Sequence, residues 1–177
     1  MEAERNTTNI FAKNCIATAL IKLMGEKDYE DITITDIAKK AGVSRVTYYR
    51  NYTSKEDIII KHFDEINYEF HKAVQKIDPT TNMYECLVNF FQTWLKHSEF
   101  LLCLIKGNLS YLLLEAVNSF TRSITNSTHK YHAFFYTGSI HNILFEWIKD
   151  GAKESAEEMA SILVDMIQPP PSILVLD

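Results

Sequence analysis

Apolar residues recur along most of this chain at intervals of three and four positions, which is the period of amphipathic helices. The longest such pattern follows Ser54 and stops before Pro79. Its apolar positions are Ile59, Phe63, Ile66, Phe70, Val74 and Ile77. Since a proline cannot continue a helix, we predict that this helix runs to Asp78. At roughly 24 residues it would be about 36 Å long.

The same period predicts an all-α fold of about nine helices. Helices are predicted from Thr8 to Met24, in a short pair between Thr33 and Tyr52, from Ser54 to Asp78, after Asn82, after Ser98, from Leu109 to Thr125, from His129 to Lys149, and after Ser155. Capping boxes are predicted for Thr33 with Asp36, Ser54 with Asp57, Asn82 with Glu85, and Ser155 with Glu158. The run from Phe100 to Ile105 has no polar position, which predicts burial on every side. The polar residues from Thr125 to Thr128 predict a loop.

These elements divide the chain into three parts. We predict a three-helix head at residues 1–54, a helical bundle at residues 55–168 and an extended tail at residues 169–177. The tail begins with three adjacent prolines, which halt the last helix and favour an extended backbone.

The predicted eighth helix carries two apolar stripes, although a single stripe is enough to reach the core. We interpret the second stripe, with apolar residues of the ninth helix, as a surface that a monomer would not leave exposed. Packing these two helices against their copies would form a four-helix interface between two subunits. The residues predicted at this interface are Ile140, Leu144, Trp147, Met159, Ile162 and Met166.

The short helix pair has the features of a helix-turn-helix. Thr33 and Asp36 can cap the first helix reciprocally, and Gly42 suits the positive φ at which many helices end. Ser44 then caps a second helix that runs from Arg45 to about Tyr52. The turn of about three residues, with its glycine, is the connection typical of a helix-turn-helix.

The second helix of the pair has side chains that suit contact with DNA. Exposed Arg and Asn can bind guanine and adenine edges bidentately, Thr can contact a thymine methyl group, and Tyr hydroxyls suit phosphates. Such side chains are concentrated here, at Arg45, Thr47, Tyr49, Arg50 and Asn51. An alternative is that the stretch is only a capped helix pair within an all-α domain.

Charge favours the DNA-binding interpretation. The chain has a net charge of −5, but residues 33–61 contain six basic and three acidic side chains. The resulting +3 on this segment, against −8 elsewhere, is typical of a localised phosphate-binding surface on an acidic protein.

The segment DIAKKAGVSRVTYYRNYTSKEDI resembles the signature of TetR/AcrR-family transcriptional regulators, with AGVS, the Thr-x-Tyr step and the Ser-Lys-Glu run in register. The later segment FFYTGSIHNILFEWIKDGAKESAEEMA is similar to the C-terminal domain of one branch of that family. The resemblance implies that the first helix packs across the helix pair, with Tyr29 and Ile32 completing a small core. Lys55 and Tyr49 resemble family positions that contact phosphates. The residues predicted to contact double-stranded DNA are Thr33, Thr35, Ser44, Arg45, Val46, Thr47, Tyr49, Arg50, Asn51 and Lys55.

The resemblance also raises the expectation of a cavity for a small apolar or aromatic effector, although aromatic residues at helical spacing are usually core. The predicted cavity residues are Phe63, Phe70, Phe91, Trp94, Phe100, Tyr111 and Phe134. The function that follows is a ligand-responsive repressor that binds a palindromic operator as a homodimer through residues 44–52. The alternative is a coactivator or protein-interaction adaptor with the same fold.

Other chemistry finds little support in the sequence. Phosphate loops, nucleophile elbows and paired carboxylates near a histidine are missing, so we expect neither an enzyme nor a cofactor. The three cysteines have no metal or disulfide spacing. His129, His132 and His141 share one predicted helix but have no matching carboxylate or thiolate, so we expect no metal. Without a membrane-spanning run or signal sequence, we expect a cytoplasmic protein.

Overall fold

The computed structural model describes residues 2–78, 81–124 and 130–167, and within these ranges all the regular secondary structure is helical. The described residues form α1 (Glu2–Glu26), a 3₁₀ turn (Tyr29–Asp31), α2 (Ile34–Ala41), α3 (Arg45–Asn51), α4 (Lys55–Val74), α5 (Met83–Lys96), α6 (Ser98–Lys106), α7 (Ser110–Ile124), α8 (Lys130–Lys149) and α9 (Ala156–Ile167). The predicted all-α fold is confirmed. The loop predicted at residues 125–128 and the tail predicted at residues 169–177 lie outside the described residues.

The capping predicted for the helix pair is confirmed. The Asp36 amide donates to Thr33 Oγ1 (3.1 Å), and the Thr33 amide donates to Asp36 Oδ2 (3.0 Å). The Lys27 ammonium lies 2.7 Å from the same carboxylate and, with Thr33, holds the pKa of Asp36 well below its usual range. Gly42 ends α2 at φ 68°, and Ser44 Oγ accepts the Thr47 amide at 3.0 Å. These local bonds fix where α2 ends and α3 begins.

A small core holds α1, α2 and α3 together, as the family resemblance implied. Its buried members are Ile16, Leu20, Tyr29, Ile32, Ile37 and Tyr48. The head is not separate from the rest of the molecule, because the same hydrophobic cluster continues through α4 into the bundle. Helix α4 packs against α1 on one side and against α5 and α7 on the other.

Helix α4 is shorter than predicted, since it ends at Val74 rather than at Asp78. Its 20 residues correspond to about 30 Å. The Ile77 amide donates to the Val74 carbonyl in a tight turn after the helix. Pro79 disfavours helical backbone angles at the residue before it, so the helix unwinds before the proline is reached.

Two of the three other predicted capping boxes differ from expectation. Ser54 Oγ accepts the Asp57 amide (3.1 Å), but the Asp57 carboxylate accepts from the Thr53 amide instead of closing the box. Asn82 makes no capping bond to α5, because its side-chain amide donates to the Glu85 carboxylate. The box at the start of α9 is confirmed, with Glu158 accepting the Ser155 amide at 2.7 Å and returning its own amide to Ser155 Oγ.

The unbroken apolar run of α6 predicted burial on every side, and this prediction is wrong. Leu101 and Leu104 are fully buried, but Leu102 is 45% exposed. The helix packs against α1, α5, α7 and α8 and leaves one side uncovered.

The surface expected between two subunits is partly core. Leu144, Trp147 and Met159 are buried within the chain, so the prediction that they form an exposed stripe is wrong. Helix α5 packs along α9 and covers these side chains, with the Phe91 ring edge-on to the Trp147 ring at 5.2 Å. Ile140 is half-buried, whereas Ile162 and Met166 are exposed. The other predicted stripe of α8 includes Tyr131 and Phe135, which are 72% and 67% exposed.

Within the described ranges, no single helix is long and apolar enough to cross a membrane. Only α6 and α7 taken together have the length and composition of a membrane-spanning helix, and they are bent by 113° at the break between them.

Replacing Gly42 with alanine tests the backbone conformation at the turn. An added Cβ meets nothing within 4 Å at either Gly42 or Gly25, but only Gly42 has a positive φ. We therefore expect Gly42→Ala to lower the free energy of unfolding by about 1 kcal/mol, because L-residues are strained in the left-handed region. Gly25→Ala, within α1, should leave stability unchanged or slightly higher. Urea unfolding of both variants measures the difference, and equal effects would contradict the assigned turn.

Candidate DNA-binding interface and internal cavity

Helix α3 is held to the head by one fully buried residue, Tyr48. Its ring packs edge-on against Tyr49 (5.3 Å between centroids) and at a tilt against Tyr52 (6.1 Å). With Tyr48 turned inward, the opposite side of this seven-residue helix faces solvent. The exposed side chains there are Arg45, Val46, Tyr49 and Arg50, with Thr47 partly exposed. The structure thus groups five of the predicted DNA-contacting residues on one surface.

Asn51 does not belong to that surface, contrary to the sequence-based prediction. Its side chain is only 8% exposed, and its amide donates to the Thr47 carbonyl at 2.9 Å. Position 51 lies three residues after Tyr48, so it shares the inward side of the helix. The amide is therefore a structural contact within the head and cannot reach a base edge in this arrangement.

The cations of this surface differ in what they already bind. The Arg50 and Lys39 side chains are exposed and make no hydrogen bond or ion pair with any described residue. The Arg45 guanidinium lies 5.9 Å from the centre of the Tyr49 ring, while the Lys40 ammonium is paired with Glu26 at 2.6 Å. Lys39, which was not among the predicted contacts, could have been added from its position beside Lys40 in the basic segment.

Lys55 is engaged with the 3₁₀ turn of the head. Its ammonium donates to the Tyr29 carbonyl (2.7 Å) and lies 4.2 Å from the centre of the Tyr29 ring. The Tyr29 hydroxyl donates to Glu56 at 2.6 Å, and burial together with this carboxylate raises the pKa of Tyr29 well above its usual range. Lys55 thus fixes the start of α4 to the head, and its contact with phosphate stays a prediction.

The remaining predicted contacts lie at helix starts. Thr33, Thr35 and Ser44 are exposed. The Thr33 and Ser44 hydroxyls already accept backbone amides as caps.

A half-open cavity of about 280 Å³ lies between α4, α5, α7 and α8 of the bundle. Of the predicted cavity residues, Phe63, Phe70 and Trp94 line it. A mainly apolar groove of about 450 Å³ shares Phe63, Asn67 and Phe70 with the cavity and continues from it. The cavity is therefore reached along one side of α4.

The other four predicted cavity residues lie elsewhere. Phe91 packs against Trp147, and the Phe100 ring is edge-on to His62 at 4.9 Å. Tyr111 is exposed beside a cleft at the end of α1, and the Phe134 ring lies below the Arg122 guanidinium at 5.8 Å. These four rings do not form the cavity wall.

Sequence reasoning missed several residues of the cavity wall, among them Asn67, Thr137, Ile140 and His141. The helical period would have brought Asn67 onto the same side of α4 as Phe63 and Phe70, because residues four and three apart share a face. Ile140 and Leu144, which were predicted to lie at the interface between two subunits, line this cavity instead. Among the described residues no group of three metal-binding side chains occurs, and His129 lies outside them.

Comparison with known proteins identifies the family. Residues 16–61 match the family described as "Bacterial regulatory proteins, tetR family", and residues 81–169 match "Transcriptional regulator C-terminal region". The chain is 28% identical over 129 residues to the uncharacterized HTH-type transcriptional regulator YuxN of Bacillus subtilis, covering 68% of this chain and 42% of YuxN. It is 32% identical over 82 residues to the HTH-type transcriptional regulator EthR of Mycobacterium tuberculosis, covering 42% of this chain and 38% of EthR. The matched segments span less than half of either relative.

Solved structures show the same fold. The dihydroxyacetone kinase operon activator DhaS superposes with a TM-score of 0.57 at 18% identity, over 89% of this chain and 94% of DhaS. NalD, the secondary repressor of the MexAB-OprM multidrug efflux pump in Pseudomonas aeruginosa, gives 0.59 at 15% identity, over 90% and 94%. With its helix-turn-helix head and its bundle both matched, the chain belongs to the TetR family of DNA-binding transcriptional regulators.

Proposed function

We propose that this protein is a ligand-responsive repressor that binds a palindromic operator as a homodimer through residues 44–52. The observation that carries the proposal is the outward side of α3, where Arg45, Val46, Tyr49 and Arg50 are exposed together. A helix of this width fits the major groove of B-DNA. Arg50, which has no partner among the described residues, is available for bidentate contact with guanine, and Tyr49 suits a phosphate.

A homodimer is proposed because one short recognition helix contacts few base pairs and few phosphates. A single head of this size should bind weakly at physiological salt. Two heads related by a two-fold axis bind strongly when their recognition helices are about 34 to 36 Å apart, which is one turn of DNA. The operator then has to be a palindrome.

The dimer surface is proposed on the exposed apolar residues of α8 and α9. Ile162 and Met166 lie four residues apart on α9 and are 40% and 66% exposed. Tyr131 and Phe135 have the same spacing on α8. Leu144, Trp147 and Met159 are buried and are not part of this proposed surface.

Ligand response is proposed through α4. This helix lines the cavity with Phe63, Asn67 and Phe70. Its Lys61 ammonium donates to the carbonyl of Asn51, the last residue of α3, at 2.8 Å. A ligand that shifts α4 would therefore move the recognition helix. By linkage, DNA must weaken ligand binding by the same factor.

Repression is the proposed sign because a dimer bound across one turn of DNA occludes a promoter that it overlaps. The structural relatives include one operon activator and one repressor. Transcription from a promoter that carries the operator should decrease when the protein is added. An increase would favour the coactivator alternative.

Selection from a library of random DNA duplexes tests the proposed function directly. We expect enrichment of a palindrome whose half-sites are about 10 base pairs apart, because the two-fold axis repeats one recognition helix. A gel shift with the enriched duplex should show a complex with two protein chains. Failure to enrich any sequence would contradict operator binding and favour a protein-interaction adaptor.

Arg50→Ala and Asn51→Ala separate a base contact from a structural contact at adjacent positions. Arg50→Ala should weaken operator binding by about 1 to 3 kcal/mol and relax base preference, because Arg50 is exposed and unpaired among the described residues. Asn51→Ala should keep base preference and lower the free energy of unfolding by about 1 kcal/mol, because it removes the bond to Thr47. Binding to operator variants and urea unfolding measure both effects. A changed base preference in Asn51→Ala would show that Asn51 turns outward on DNA.

A double substitution on α9 tests the dimer. Ile162→Glu with Met166→Glu should give monomers by light scattering and weaken operator binding at physiological salt, since charges would be placed in an apolar interface. Leu102→Glu is the control, because Leu102 is similarly exposed at 45% but lies on α6. It should remain dimeric. If the α9 variant remained dimeric, the interface would have to lie away from Ile162 and Met166.

A further inference from the structure

The wall of the internal cavity carries no ionic group. None of its fourteen lining residues is an aspartate, glutamate, lysine or arginine. Burial lowers the pKa of His141, the only histidine among these lining residues, which favours the uncharged form of its imidazole. A charged ligand would lose its hydration here without gaining a counter-ion, which is costly. The cavity wall therefore offers no counter-ion to an anion or to a cation.

Two polar side chains of the wall, Trp94 and the half-buried His141, have buried hydrogen-bonding atoms without a partner among the described residues. Trp94 is 2% exposed, and its Nε1–H has no partner among the described residues. Neither ring nitrogen of His141 has one either. The Asn142 side chain and the Ser110 backbone lie near enough to oppose the lowering of the His141 pKa, but they do not reach hydrogen-bond geometry. Buried polar groups in native proteins are nearly always paired, so this pair of exceptions in one cavity requires an explanation.

A third polar residue of the wall shows the contrast. Thr137 lines the same cavity, but its hydroxyl donates to the Ala133 carbonyl at 2.8 Å within α8. Its donor is therefore satisfied without a ligand. The unsatisfied state of Trp94 and His141 is thus a property of these two residues and not of every polar group in the wall.

Of the two, His141 has the more adjustable ring. The Trp94 ring is stacked on Phe63 at 5.7 Å and is further restrained by Phe90 at 6.4 Å. The His141 ring has Phe145 on one side, 4.5 Å away, and borders empty volume. Because the second side-chain torsion of histidine is broad, the ring can turn one nitrogen into the cavity.

We infer that the effector is an uncharged, mainly aromatic molecule with one hydroxyl group that pairs with His141. A neutral imidazole offers one donor and one acceptor, and a hydroxyl can match either because it both donates and accepts. The apolar body would fill the space between Phe63, Phe70 and Ile140. A volume of about 280 Å³ is close to the lower limit of small-molecule sites, roughly 300 to 1,000 Å³, which indicates a compact ligand. The inference rests on the proposed ligand response and specifies its chemistry.

Four compounds with one ring system test this chemistry on the wild-type protein. They are naphthalene, 2-naphthol, 2-naphthoate and 2-naphthylmethylammonium, titrated by calorimetry at neutral pH. We expect 2-naphthol to bind about tenfold more tightly than naphthalene, which is the typical effect of one hydrogen bond to a buried group. The anion and the cation should bind at least about tenfold more weakly than 2-naphthol.

Two variants locate the hydroxyl. His141→Phe should reduce 2-naphthol binding to the level of naphthalene and leave naphthalene binding largely unchanged. Thr137→Val is the matched control, because it removes a hydroxyl from the same wall whose donor is already satisfied. It should keep the tenfold preference. If His141→Phe fails to fold, as thermal unfolding would show, the wild-type comparison still decides whether the cavity prefers a hydroxyl, and Thr137→Val decides whether Thr137 is its partner.

Several outcomes would overturn the inference. These are equal binding of naphthalene and 2-naphthol to wild type, tight binding of either ion, a retained preference in His141→Phe, a lost preference in Thr137→Val, and no binding of any compound. The proposed ligand response has a separate readout, which is release of the selected operator in a gel shift. Tight 2-naphthol binding without release would contradict that response and leave the ligand chemistry supported.

Discussion

The burial of one side of α4 is the constraint on which the rest of the structure depends. Ile58, Ile59, Phe63 and Ile66 are all buried, and they belong to one hydrophobic cluster that includes both the head and the bundle. Because α4 contacts α1 as well as α5 and α7, neither half can be displaced without disturbing the packing of the other. Protein interiors are packed as densely as organic crystals, so such a helix transmits a displacement along its length. The position of the recognition helix therefore depends on how the bundle packs.

Polar contacts bond the start of α4 to the head. The Lys55 ammonium is held by the Tyr29 carbonyl of the head. The Lys61 ammonium donates to the Asn51 carbonyl at the end of α3 and lies 2.9 Å from Asp57 on its own helix. Two residues after Lys61 the same helix reaches the cavity through Phe63. The shortest route from cavity to DNA surface is thus a single helix whose first two turns are bonded to the head.

The sequence predicted what is decided by neighbouring residues and missed what is decided by packing. The caps at Thr33, Ser44 and Ser155 and the turn at Gly42 were predictable, because each depends on residues within about one turn. On α8 both stripes are apolar, so periodicity could not decide that Leu144 enters the core while Phe135 remains outside. Asn51 was misassigned because an asparagine amide, which can bind adenine, can equally donate a hydrogen bond to a carbonyl of its own helix, as it does here to Thr47. The cavity was predicted, but its wall depends on how α4, α5, α7 and α8 meet.

A cavity with unsatisfied polar groups lowers the stability of the bundle. The linkage between ligand and DNA binding limits which ligands can cause release of DNA. A molecule that fills the cavity stabilises every conformation to which it binds, in proportion to its affinity for that conformation. It cannot move the equilibrium between two conformations to which it binds equally well. Release of DNA therefore requires a cavity whose shape differs between the operator-bound and free forms. Since Phe63 and Phe70 belong to α4 while Ile140 and His141 belong to α8, a change in the angle between these helices changes both the width of the cavity and the reach of His141.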